Sequence, residues 1–280
     1  MKVADFLYAT VLKPKPIRNL TNALICLLIP KKIVCRGAIV FLNQRDPVVS
    51  GALALHLYEK DEINFLSQIV QKGMRILDIG ANVGLYTAIL GKGAGNEGLV
   101  YAFEPDPENF SFLLKTIAAN KLSNTHAVQA AAASQAGRMR LFTSSDNRGD
   151  NRLYENELSD GCVDVEVICV DDFLRENFLD TIDLIKIDVQ GFEAEVLAGL
   201  EHTIRNSPRL TLLSEFWPDG LRRAGAEPLA LLKRLQDWGL RIHSLESGGQ
   251  IQAIPDFEGF IERFPGRRYT NIVGIKGERN

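Results

Sequence analysis

From Met74 onward, short, nearly continuous apolar runs alternate with longer stretches whose apolar positions recur at helical spacing. The runs predict strands over 75–79, 99–103, near 125–131, 163–169, 182–187, 209–215, 240–245 and 270–276. The stretches between them predict helices over 84–91, 107–119, 171–177, 192–204 and 227–238. Strands that are apolar at nearly every position are buried on both faces, as in parallel sheets. The expected architecture is therefore α/β, a mostly parallel sheet with helices on both faces. Right-handed crossovers place every strand's C-terminal end on one edge, and ligands of such sheets bind along that edge.

Upstream the pattern is weaker. Ile33 to Cys35 and Ala38 to Leu42 flank Arg36-Gly37 as a small hairpin, and a helix is expected over 62–71, with Ile63, Leu66, Ile69 and Val70 on one face. The apolar stretch 22–29 is far shorter than the roughly 20 residues a bilayer requires. It also follows Pro14 and Pro16, too deep for an ordinary signal peptide. Residues 1–36 carry Lys2, Lys13, Lys15, Arg18, Lys31, Lys32 and Arg36 against the single acid Asp5. Such a segment can rest on an anionic membrane surface, or pack on the main domain or on a second copy in a homo-oligomer. The chain is expected to divide into a helical and hairpin extension, 1–57, and one larger domain, 58–280.

A chain of 280 residues that is 46% hydrophobic can bury one large core. Its net charge of -3 gives no overall field favouring nucleic acid. Cys26, Cys35, Cys162 and Cys169 show no C-x-x-C spacing and read as reduced thiols of a cytoplasmic protein.

Four acids fall at the C-terminal ends of predicted strands: Asp78, Glu104, Asp188 and Glu215. Adjacent strands lie about 4.8 Å apart, so these carboxylates are expected to line one cleft. Gly80-Ala81-Asn82-Val83-Gly84 forms the turn from Asp78 into the next helix. Gly80 lets backbone approach a ligand without an intervening Cβ, and Gly84 suits close helix–sheet packing. The spacing is D-x-G-x-x-x-G, unlike the G-x-G-x-x-G that seats a pyrophosphate on a helix N-terminus. A carboxylate at Asp78 repels a pyrophosphate and suits an ammonium group, unless it merely caps the turn. Glu104 is placed to accept hydrogen bonds from two ribose hydroxyls, and Pro105 follows with its φ preset for a helix or turn. Together the two acids suit a ligand with a cationic tail and a ribose.

At these residues the chain resembles the FkbM family of S-adenosylmethionine-dependent methyltransferases. The resemblance rests on Asp78-Ile79-Gly80-Ala81-Asn82-Val83-Gly84, on Ala102-Phe103-Glu104-Pro105 and on Lys186-Ile187-Asp188-Val189-Gln190-Gly191-Phe192-Glu193. It runs from Tyr58-Glu59 to Asn271-Ile272, including Ala131 to Gly137, Val196-Leu197-Ala198-Gly199 and Ser214-Glu215-Phe216. Gln190 stands where the family commonly has Glu. The resemblance implies a class I methyltransferase (Rossmann-like) fold with a seven-stranded sheet, and O-methylation of a hydroxyl on a sugar, glycan or natural product. It places Asp78 beside the methionine end of S-adenosylmethionine, with Gly80, Ala81, Asn82 and Gly84 beside its carboxylate and backbone. Glu104 would hold the ribose, Ala131 and its neighbours would border the adenine, and Glu59 would line the acceptor side.

Methyl transfer from a sulfonium is an in-line displacement, so much of its catalysis is alignment. A sugar hydroxyl is a weak nucleophile and needs a base or a metal. Asp188, at a strand end before the Gly191 turn, is the first candidate base, with Glu215 and Glu193 next. Clustered carboxylates raise one another's pKa, or hold Mg²⁺ or another hard cation. Plainer roles compete: a helix cap for Asp188, helix-dipole stabilisation for Glu193, a structural acid at Glu215. His126, His202 and His243 fall away from the edge, whereas His56 can fold over it. The polar stretch 143–161 is long for a connection and suits a lid or recognition loop, with Asn147, Arg148, Asn151 and Tyr154 able to meet a sugar. Trp217, beside Phe216, is either a second acceptor wall or packing. The competing functions are an NAD-linked oxidoreductase, disfavoured by the glycine spacing, and a non-catalytic cofactor-binding module.

Overall fold

A computed structural model describes residues 15–55, 59–144, 147–154, 159 and 161–277, with side chains from residue 21 onward. The chain passes through a hairpin, β1 (Lys32–Cys35) and β2 (Ala38–Phe41), into β3 (Arg75–Ile79), β4 (Leu99–Phe103) and β5 (Thr125–Val128). Then come β6 (Ala131–Ala133), β7 (Gly137–Thr143), β8 (Gly161–Cys169), β9 (Leu184–Ile187), β10 (Leu210–Phe216), β11 (Arg241–Glu246), β12 (Gln250–Ala253) and β13 (Thr270–Lys276).

Eight strands form one sheet in the order β12-β11-β13-β10-β9-β3-β4-β5. The central strands β10, β9, β3, β4 and β5 are mutually parallel, and β13 lies antiparallel between β10 and β11. β9 and β10 are buried at every position and β3 from Ile76 on, which is why they read as unbroken apolar runs. The α/β class and mostly parallel sheet agree with expectation, but the sheet has eight strands rather than seven. The added strand, β12, pairs with β11 at the edge and is exposed at all four positions, so it shows no apolar run.

Three other expectations need correction. The run 163–169 is a strand, but it leaves the main sheet and joins β6 and β7 in a three-stranded one. The run near 125–131 divides at Gln129-Ala130, giving β5 to the main sheet and β6 to the small one. The helix expected over 192–204 is two, Glu193–Ala198 and Glu201–Asn206, parted at Gly199. A Cβ on Gly199 would lie 2.2 Å from the carbonyl oxygen of Ala133, so the small sheet fixes that break.

The N-terminal hairpin is anchored to the helix Pro107–Ala119: Phe41 N donates to Thr116 Oγ1 (3.0 Å) and Ile39 N to Asn120 Oδ1 (2.9 Å). Ala38, Val40 and Leu42 share one apolar cluster with Leu66, Val83, Leu90 and Leu184, so residues on both sides of position 57 pack in one core. On the helix Lys15–Leu28, Leu24, Leu27 and Leu28 are exposed. Among the described residues no helix is long and apolar enough to cross a membrane. All four cysteines are free thiols.

Candidate active site

The register of the central strands assembles the site. Asp78 pairs with Lys186 across β3 and β9, and Lys186 pairs with Leu213 across β9 and β10. Side chains alternate with a period of two, so one row carries Asp78 and Lys186, and the row two residues on brings Gly80, Asp188 and Glu215 to the same face. This is the C-terminal edge of the parallel strands.

The larger cavity there is a partly open cleft of ≈ 850 Å³, its solvent-filled mouth included. Its floor is the turn Gly80–Val83, one side is Phe103–Pro105, and the other includes Ala130–Ala132. Glu104 is buried and already accepts Asn82 N (2.8 Å) on Oε2 and Asp106 N (2.9 Å) on Oε1. Burial pushes its carboxyl up to about 7, while those two N–H groups pull the other way. Asp106 caps the helix Pro107–Ala119 by accepting Glu108 N and Asn109 N, and Pro107 stands in its first turn. The short 3₁₀ turn Arg148–Asp150 closes over the cavity: Arg148 pairs with Asp106 (2.9 Å) and Glu108 (2.8 Å), and Gly149 is part of the wall.

A smaller, partly open cavity adjoins it, ≈ 290 Å³ with its open mouth included and with inner room for about one water-sized group, lined by Glu59, Glu62, Glu215, Tyr269 and Asn271. Tyr86, Lys186 and Asp188 border both spaces. Lys186 is nearly buried; its Nζ donates to Gly80 O (3.1 Å), lies 3.7 Å from both Asp78 Oδ1 and Asp188 Oδ2, and is 4.9 Å from the centre of the Tyr86 ring. Burial alone lowers its pKa, but Asp188, Asp78, Glu59 and Glu215 outweigh that and raise it. Tyr86 OH donates to Glu59 Oε2 (2.5 Å). Burial first, then the charges of Asp188 and Glu62, push Glu59 up to about 8. Glu215 is held well above the usual carboxylate range by burial and by Asp188 and Glu193. The cation among these acids is thus a lysine; no group of three or more His, Cys, Asp or Glu among the described residues is arranged to hold a metal.

Gly80, Ala81, Asn82, Glu104, Pro105, Ala131, Arg148 and Asp188 line the larger cavity, and Glu59, Glu215 and Asp188 line the smaller. Four expected residues line neither. Asp78 is fully buried beneath the turn, accepting Thr87 Oγ1 (2.6 Å) and facing Lys186. Gly84, at φ +88°, packs against a neighbouring helix rather than the sheet: a Cβ there would meet Leu113 Cδ1 at 2.8 Å. Glu193 is fully buried, and its Oε1 accepts Val189 N (3.2 Å) and Gly191 N (3.1 Å), bracing the loop that follows Asp188. Trp217 folds under the helix Pro218–Arg223, stacks with Arg152 and donates Nε1 to Gly266 O (2.7 Å). In the loop 143–161, Asn151 also lines the larger cavity, whereas Tyr154 donates to Gln190 O (2.9 Å). His56 lies outside the described residues.

Sequence reasoning missed Lys186 as a working group, although one charge inside the apolar run Leu184–Ile187 was a readable signal. Tyr86, Glu62, Asn271, Val49 and Leu53 also line these cavities, and nothing in their local sequence marks them. Backbone strain supplies another mark. Of the six non-glycine residues described with positive φ, Glu59 (37°), Asn82 (51°) and Gln190 (56°) all border the two cavities.

The model of the methyltransferase FkbM domain matches residues 78–242. Methyltransferase sdnD of Sordaria araneosa is 32% identical over 177 residues, 52% of this chain and 68% of that protein. The 2-O-methyltransferase NoeI of Sinorhizobium fredii is 31% identical over 46% of this chain, and the hexuronic acid methyltransferase AglP of Haloferax volcanii is 24% identical over 53%. The chain spans 58% and 59% of the lengths of those two relatives. The crystal structure of methyltransferase FkbM from Methylobacillus flagellatus superposes with a TM-score of 0.47 at 16% identity, covering 92% of this chain and 59% of that one. The matched segment covers more than half of the chain, from Asp78 through the glycine turn, Glu104, Asp188 and Glu215: this chain belongs to the FkbM methyltransferase family.

Proposed function

We propose that the protein is an S-adenosylmethionine-dependent O-methyltransferase acting on a hydroxyl of a sugar, glycan or natural product. The observation that carries this reading is that Asp188 borders both cavities, so one carboxylate faces the larger space, which we assign to the cofactor, and the smaller one, which we assign to the acceptor. S-adenosylmethionine, when bound, supplies a methyl group on a positively charged sulfur. Glu104 retains lone pairs beyond the two backbone N–H groups it accepts, enough to take ribose hydroxyls. The turn residues Ala81 and Asn82 and the small side chains Ala130–Ala132 border the rest of the space we assign to the cofactor. Arg148, held by Asp106 and Glu108, keeps the 3₁₀ turn over the cleft and excludes water.

Asp188 orients the acceptor hydroxyl and takes its proton on a carboxylate oxygen. Gln190 Nε2, which donates to Asp188 Oδ1 (2.7 Å), and Lys186 hold that carboxylate in place. The names of two relatives, a 2-O-methyltransferase and a hexuronic acid methyltransferase, support methylation of a sugar. The test is methyl transfer from labelled S-adenosylmethionine to a panel of hydroxylated sugars and glycans. The reading predicts an alkali-stable methyl ether. A base-labile ester, or methylation only of an amine, contradicts it.

A further inference from the structure

Charge is unevenly matched around the smaller cavity. Glu59 and Glu62 come from the helix that begins at Lys60 and the residue before it, Asp188 from the end of β9, and Glu215 from β10. Against them stands Lys186, already committed to Gly80 O, Asp78 and Asp188. Tyr86 donates to Glu59, and Asn271 Nδ2 donates to Glu62 Oε1 (2.7 Å). Glu215 is 7% exposed, and its Oε2 is buried with no hydrogen-bond partner among the described residues. Leaving a buried carboxylate oxygen unmatched is costly, so a site built this way lacks a donor that another molecule can bring.

We propose that the smaller cavity binds the protonated amine of an amino-bearing polyol, such as an amino sugar, with Glu215 receiving the ammonium. This rests on the cavity being the acceptor side of the methyltransferase proposed above. The chemistry is self-consistent: an ammonium has no lone pair to be methylated, so the amine acts as a handle while a neighbouring hydroxyl faces Asp188. An ammonium lets Glu215 give up its proton and ionise, whereas an acceptor bearing a carboxylate or phosphate brings no counter-charge and sets a negative charge beside Asp188, so it is rejected. Burial and mutual repulsion already hold Glu59 up to about 8 and Glu215 well above the usual range, the condition of carboxyls short of counter-charge.

The test is ligand-observed saturation-transfer NMR on protein loaded with S-adenosylhomocysteine, comparing glucosamine, glucose and glucuronate at pH 7.5. The expected order is glucosamine first, with glucose about tenfold weaker or more and no detectable glucuronate. Glu215→Gln should remove the advantage of glucosamine over glucose. Equal signals from the three sugars, including no signal from any, overturn the proposal, as does binding of glucuronate. Calorimetric titration of S-adenosylhomocysteine into the same sample separates the two claims. Failure of that titration sinks the methyltransferase assignment of the site, whereas normal cofactor-product binding without amine preference sinks only this inference. The wild-type comparison stands even if Glu215→Gln does not fold.

Discussion

The carbonyl oxygen of Asp188 lies 1.9 Å from where a Cβ on Gly80 would stand, so the glycine turn after β3 and the acid after β9 are fitted to each other. The absent side chain makes room for protein backbone rather than for a ligand, which revises the reason for Gly80. Its φ of +79° adds a second reason for glycine. Gly80→Ala is therefore expected to destabilise the fold by about 2–5 kcal/mol, combining left-handed strain with overpacking. Urea unfolding monitored by circular dichroism checks this; an unchanged midpoint would mean that the two segments are not in contact.

Lys186 is expected to be structural as well as electrostatic. Replacing it with methionine leaves Asp78 and Asp188 without their shared cation, and breaking a buried pair in this way costs about 3–5 kcal/mol. Thermal unfolding of Lys186→Met reads this directly. A melting temperature within a degree of wild type would show that the acids do not depend on it.

Asp188→Asn keeps the volume and a hydrogen-bonding partner for Gln190 but removes the base. The expected result is a fall in kcat of about 10²–10⁴ with little change in affinity for S-adenosylhomocysteine. Loss of cofactor affinity equal to that of a Glu104 variant would take Asp188 out of the proton-transfer role.

Stability of the ligand-free protein is expected to decline from pH 5 to pH 8. Glu59, pushed up to about 8, and Glu104 and Glu193, each pushed up to about 7, bind protons more tightly folded than unfolded, where a glutamate titrates near 4.5. Their contribution is complete below about 4.5 and is lost as pH rises through the folded values. Glu59→Gln should flatten the upper part of the decline, with each kcal/mol worth roughly 2–4 °C in melting temperature. Differential scanning calorimetry across that range, in matched buffers, decides it. Melting temperatures that rise toward pH 8 would contradict the burial of these carboxyls.

The main sheet was legible because β9 and β10 throughout, and β3 and β4 over most of their length, are buried and write themselves as apolar runs. The acids at their ends were legible for the same reason, since a charge closing an apolar run stands out. β12 was illegible because an exposed edge strand needs no apolar residues. The destination of β8 was illegible because pairing with β7 and β6 depends on residues far along the chain. Asp78 and Glu193 were read as site residues from their positions, yet Thr87 and Lys186 enclose the first, and backbone N–H groups of the following loop engage the second. Glu62 and Asn271, 209 residues apart, meet only in three dimensions.

The most direct test of the central claim is calorimetric titration of S-adenosylhomocysteine into the wild-type protein and Glu104→Ala. Glu104 is the acid that should hold the ribose, and removing charge-assisted bonds to both hydroxyls should weaken binding about 10–100-fold. Micromolar binding by the wild type, weakened to that extent in the variant, is the predicted result. No binding by the wild type, or identical affinity in both proteins, would contradict the placement of the cofactor at the ends of β3 and β4.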